Sequence, residues 1–138
     1  MITALRPVLL LALLSSFLAW PGPAPAPPKD RWGIVPVRVQ LTTGGYMVYF
    51  RYRVTDEQRA TPFFDKQLKL KLVDRATGVS AGVTQDTKLG ALRSSPRTAP
   101  TRGKEYFVLF SNPNGALRSG GSVDVELGPA TFKNLVVE

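Results

Sequence analysis

The chain has 138 residues, with 18 lysines and arginines against 10 aspartates and glutamates, no histidine and no cysteine. Its formal charge of +8 favours acidic partners by simple electrostatics. Without histidine there is no unperturbed general base near neutrality and no Ser-His-Asp triad; without cysteine there is no thiol nucleophile, c-type haem attachment, thiolate zinc site, blue-copper centre or disulfide.

In chain order, Arg6 and the apolar run 8–20 have the charge and length of a secretory signal. Pro21 and Pro23 close that run before it reaches the roughly 20 apolar residues of a membrane span. Residues 1–20 therefore read as a signal peptide, residues 21–31 as a stiff Pro/Ala-rich spacer of the polyproline type, and residues 32–138 as one domain. Cleavage after Ala19 and cleavage at Ala24-Pro25-Ala26 leave similar products. Lacking cysteine, the cleaved product carries no lipid anchor and no membrane span, which places it in the periplasm or outside the cell; an uncleaved leader would tether it. Removing Arg6 from the 18 basic residues leaves 17 against 10 acidic, about +7.

Within the domain, Val35, Val37, Val39 and Leu41 alternate with Pro36, Arg38 and Gln40, the period of a strand with one buried face, and Pro36 puts that strand at an edge. After Gly44-Gly45, Tyr46, Val48, Phe50, Tyr52 and Val54 face one way and Met47, Tyr49, Arg51 and Arg53 the other. Thr55 with Gln58 has the form of a capping box over one helical turn before Pro62, and Phe63 and Phe64 are placed to plug one end of the core. Leu68, Leu70 and Leu72 against Lys69 and Lys71 make a third strand, and turn residues at 74–78 lead to a weaker fourth at 79–84. Residues 85–103 read as a long, polar, basic loop. Residues 106–110, apolar on both faces, suggest a central strand; Val123, Val125 and Leu127 form a sixth, and 131–137 close a final hairpin. Seven short strands without a helix of ordinary length predict an all-β fold, an antiparallel seven-stranded sandwich of the immunoglobulin-like kind.

The strand 45–54, the turn Val73-Asp74-Arg75-Ala76-Thr77-Gly78 and the closing Asn134-Leu135-Val136-Val137 carry a resemblance. The chain resembles small exported bacterial proteins of unassigned function with an immunoglobulin-like β-sandwich. The likeness implies fold and compartment and brings no active site. The paired cysteines of true immunoglobulin domains are missing, Trp32 precedes the first strand and no tyrosine sits on the sixth, so a fibronectin-like or other sandwich order is equally compatible.

Catalysis would have to rest on Asp56-Glu57, on Asp124 with Glu126, or on a Ser-Lys dyad. The first pair suits a helix's first turn, and the second a solvated strand face matched across the hairpin to Lys133. Neither supplies enough oxygen ligands for calcium. The expectation is no enzyme, no metal and no cofactor. Cations offer more. Arg51 and Arg53 share the outward face of the second strand with Tyr49, and Lys69 and Lys71 that of the third; a meander would set those faces side by side, where arginine forks and a tyrosine face suit an acidic envelope protein, glycan or lipid head group. Charged outward faces also simply keep sheets soluble and deter edge pairing. Arg93, Arg97 and Arg102, on the long loop, form a second candidate, equally readable as a flexible excursion. An exported location and the lack of any binding module argue against nucleic acid. The functional expectation is a non-catalytic exported binding or accessory module of the cell envelope, with a structural subunit joined through sheet edges as the alternative.

Overall fold

The computed structural model describes residues 31–138; the expected signal, 1–20, and all of the expected spacer except Arg31 lie outside the described residues. The structure is mostly β. Nine strands follow in order: β1 (Ile34–Thr42), β2 (Met47–Val54), β3 (Leu70–Asp74), β4 (Ser80–Gly82), β5 (Gln85–Asp86), β6 (Gly90–Ala91), β7 (Glu105–Ser111), β8 (Ser122–Leu127) and β9 (Ala130–Val136), with one helical turn, α1 (Glu57–Ala60), after β2. They form a three-stranded sheet β1-β2-β7, a four-stranded sheet β4-β3-β8-β9 and a small ribbon β5-β6. Every ladder within them is antiparallel.

The core draws on both larger sheets. Val48, Phe50, Tyr52 and Val54 of β2 are wholly buried, as the strict alternation of that strand requires, and pack in one cluster with Leu72, Val108, Phe110, Val123, Val125 and Leu127. Burial of an aliphatic or aromatic side chain of this size contributes roughly 1.5–3 kcal/mol relative to exposure, and this cluster does the work that disulfides do in many small exported domains. Phe63 is buried and Phe64 half-buried at one end, as their position after α1 predicts.

Backbone hydrogen bonds also join the sheets along both sides. On one side Leu41 N–H donates to the Glu138 carbonyl and Glu138 N–H to the Val39 carbonyl, so the C-terminus closes part of the β1 edge. On the other, the outer edge of β7 is taken up by the chain on either side of the β5-β6 ribbon: Thr84 N–H donates to Leu109 O, Leu109 N–H to Leu92 O, and Ser94 N–H to Phe107 O. Residues 85–103, expected as one long loop, therefore begin with a folded excursion, 84–94, whose two ends are pinned to β7.

Several local expectations change. β1 is an edge strand, as Pro36 implies, but its register slips between Pro36 and Arg38, leaving Val37 as the extra residue of a bulge. Ile34 and Val39 are consequently the buried residues, and Val37 is 37 % exposed instead of facing the core. The cap of α1 is Asp56, whose carboxylate accepts from Arg59 N–H, one residue beyond the Thr55 expected from the capping-box pattern. Gly33 explains the tight approach there. It has φ +73°, its carbonyl accepts from Thr55 and Asp56, and a Cβ on it would lie 2.6 Å from the Arg59 Cβ.

Asn112, which opens the turn pattern Asn112-Pro113-Asn114-Gly115, is buried, and that pattern does not give its contacts. Its side-chain amide donates to Gly45 O at 2.7 Å and Leu117 O at 2.9 Å, and its Oδ1 accepts from Leu117 N–H at 2.9 Å, clipping the turn after β7 to the β1–β2 turn. Asn112→Ala leaves those groups without partners. The expected loss is about 3 kcal/mol by denaturant titration, since each buried unpaired group costs ~1–3 kcal/mol; an unchanged midpoint would contradict this role.

Candidate functional site

The two cationic sets of the sheet faces are not brought together. β2 lies between β1 and β7, whereas β3 lies between β4 and β8 in the other sheet. With the core between the sheets, the outward sides bearing Arg51 and Arg53 and bearing Lys69 and Lys71 face opposite ways. The meander that would have joined them is interrupted by α1 and the turn after it, which carry the chain from one sheet to the other.

Each sheet face is also partnered at home. Glu105 of β7 lies opposite Arg53 and takes both arginines, with Arg53 Nη2 at 2.9 Å and Arg51 Nε at 3.3 Å, the latter off the line of a hydrogen bond. Arg38, the cross-strand neighbour of Arg51, pairs with Glu138 at 2.8 Å. Tyr49 packs against Phe107, with ring centroids 5.3 Å apart and planes tilted by 33°. On the opposite sheet Lys71 pairs with Glu126 at 3.1 Å across the β3–β8 ladder. Asp124 takes the Asn134 N–H and Arg75 at 3.0 Å, which hold it below the usual carboxylate range, while the expected Lys133 adds only its charge at a distance and forms no ion pair. Lys69 is exposed and enters no ion pair among the described residues.

The basic loop behaves differently. Among the described residues, none of Arg93, Arg97 and Arg102 enters an ion pair, and neither does Lys66. Arg97 and Arg102 are exposed, and Arg102 is positioned by its backbone N–H, which donates to Glu57 Oε1 at 3.1 Å. Arg93 is half-buried. It bridges to Val108, an inward-facing residue of β7, so its side chain is directed toward the end of the core. There the guanidinium lies 5.9 Å from the Phe64 ring centroid and donates through Nη2 to the Phe63 carbonyl. Its charge also reaches the buried Tyr52 hydroxyl, yet neither that hydroxyl nor Arg93 Nε has a partner at ordinary hydrogen-bond geometry.

Arg93 opens onto a cleft of about 440 Å³ between Phe64 and Lys66 on one wall and Gln85, Leu89, Gly90, Ala91 and Ser95 on the other. Phe64, Lys66 and Ser95 also line a neighbouring cleft of about 460 Å³, completed by Thr61, Pro62, Asp65, Pro96, Thr98 and Pro100. One lysine and one arginine side chain, hydroxyls and Phe64 thus converge on a surface whose carboxylate, Asp65, enters no ion pair among the described residues and accepts from Gln67 N–H. The sequence flags Arg93 but not its partners Phe64 and Lys66, which stand 27 or more positions earlier and carry no motif.

Among the described residues no group of three or more His, Cys, Asp or Glu side chains could hold a metal ion, and no helix is long and apolar enough to cross a membrane. No family model, curated protein or solved structure matches the chain.

Burial pushes Tyr52 from 10.0 to about 12, with Arg93 offsetting part of the shift. In the unfolded chain this phenol ionises near its ordinary value, so stability present below pH 10 should fall as pH rises through the folded value. Tyr52→Phe is expected to flatten the decline between pH 10 and 12 and to cost little at pH 7, where the hydroxyl has no ordinary partner to lose. Thermal melts of both proteins across that range check it; parallel curves would refute it.

Proposed function

We propose that this chain is an exported, non-catalytic binding or accessory module of the bacterial cell envelope, built on an immunoglobulin-like β-sandwich and engaging an acidic partner through the surface formed by Lys66 and the loop arginines. Support for the sandwich comes from the strand order, three strands β1-β2-β7 opposed to four strands β4-β3-β8-β9, which is the arrangement of the fibronectin-like variant of that fold. Support for export comes from the leader sequence, Arg6 followed by the apolar run 8–20.

One observation carries the choice of surface. Arg38, Arg51, Arg53 and Lys71 each have a carboxylate within 3.3 Å, whereas Lys66, Arg93, Arg97 and Arg102 have none in an ion pair. An exposed cation already paired has little left to offer an incoming anion, and a half-buried one without a counterion gains most from receiving it. The alternative of a subunit joined through sheet edges has less to recommend it. The open stretch of β1 is interrupted by Pro36 and by a bulge, both of which hinder strand addition, and its remainder is closed by Glu138.

Crosslinking in the intact envelope tests this reading. Capture of a defined partner is expected to survive the Arg51→Glu/Arg53→Glu reversal and to be lost with Arg97→Glu/Arg102→Glu, and to weaken as salt is raised. Self-crosslinks alone, insensitive to both reversals and to salt, would overturn it in favour of the structural subunit.

A further inference from the structure

We propose that the paired clefts on either side of Phe64 form a binding site for a carboxylate-bearing sugar chain, with Arg93 and Lys66 receiving one carboxylate and Phe64, shared by both clefts, packing against a sugar ring. The inference rests on the binding-module reading and names its ligand.

The cationic seat comes first. Arginine carries five N–H donors in a planar fork that matches a carboxylate, and here Nη2 meets the Phe63 carbonyl and Nε is buried, so a carboxylate would be met by the part of the fork that lines the cleft. The guanidinium is fixed from below by that carbonyl and by the Phe64 ring, so it is oriented before any ligand arrives and little side-chain freedom remains to be lost. Lys66, exposed on the opposite wall, supplies a second charge without directional demand.

Shape and lining then favour a sugar chain over a peptide. Two clefts of about 440 and 460 Å³ lie in series and share Phe64, Lys66 and Ser95. Each falls within the volume range of small-ligand sites. Gln85, Ser95, Thr61 and Thr98 offer side-chain donors and acceptors along both, the chemistry that ring hydroxyls require. An extended peptide would instead seek an open strand edge. None is offered, because Ala91 pairs with Gln85, Leu92 N–H donates to Thr84 O, and Ser94 N–H donates to Phe107 O.

Leu89 completes the site. It is 78 % exposed at the tip of the β5-β6 ribbon, an apolar side chain with no core to enter, standing on the rim of the Arg93 cleft. The tip that presents it is held by Asp86, whose carboxylate accepts from Lys88 N–H and Leu89 N–H, both at 2.8 Å. Leu89 is therefore presented on a defined turn, where it can cover the apolar face of a bound ring.

The test is calorimetric titration of the purified protein with a tetramer of galacturonate, its neutral counterpart a tetramer of galactose, and hexaglutamate. Binding of the galacturonate tetramer, absence of binding by the galactose tetramer, and a loss of about tenfold in affinity in Lys66→Gln and again in Leu89→Ser support the proposal. Arg93→Met should abolish binding, and Lys66→Gln, an exposed change, keeps the test informative if Arg93→Met does not fold. Failure of the galacturonate tetramer to bind, with hexaglutamate bound in a Lys66-sensitive manner, would overturn the sugar assignment and leave the binding-module reading standing. No binding of either anion while envelope capture persists would overturn the cleft as the site.

Discussion

The outer edge of β7 sets the constraint on which the candidate site depends. A strand as apolar as Glu105–Ser111 cannot leave its backbone donors and acceptors bare, because unpaired polar groups beside a core cost about as much as a lost hydrogen bond, and an open edge invites association. Thr84, Leu92 and Ser94 satisfy it. Meeting that demand from two separate points of the chain pins both ends of the 84–94 segment, leaves the β5-β6 ribbon between them and gives Arg93 an inward register opposite Val108. A residue that would be a solvated charge on a free loop thereby becomes a half-buried cation at the end of the core.

The electrostatic organisation follows from the same placement. Sheet-face cations sit where a neighbouring strand can supply a carboxylate, and Glu105, Glu126 and Glu138 do so. Exposed pairs of this kind contribute little to stability, about 0–1 kcal/mol each, but they cancel the charge that would attract a ligand. Cations at the loop end have no such neighbours. The net positive charge of the chain is thus expressed unevenly, and two of the cations outside the ion pairs, Lys66 and Arg93, line a cleft that also carries Phe64.

Most of the sheet architecture was legible in the sequence, because period-two alternation is a local signal. β8 buries the residues its pattern names, β2 does so from Val48 to Val54 while Tyr46, expected on the same face, is 71 % exposed in the turn before it, and Asp74 organises the turn after β3 by accepting from Ala76 N–H. Failures came where a non-local demand won. Val37 left the core through a bulge that alternation does not mark, and the cap passed from Thr55 to Asp56 once Gly33 fixed the entry to α1. The contacts of Asn112 were invisible because its three partners lie in two turns far apart in sequence. Of the candidate site, the loop arginines were visible as a charge run. Their difference was not: Arg93 points inward while Arg97 and Arg102 remain exposed, and which strands neutralise the other cations depends on sheet order, which alternation does not encode.

Amide hydrogen exchange at the outer edge of β7 tests the central claim most directly. If residues 84–94 are pinned there, the amides of Thr84, Leu92, Ser94 and Leu109 will exchange as slowly as those of β2, whose ladder to β7 lies in the same sheet. Fast exchange at these four positions beside a protected β2 would show that the segment is free, that Arg93 is not held in its inward register, and that the cleft is not a preformed site.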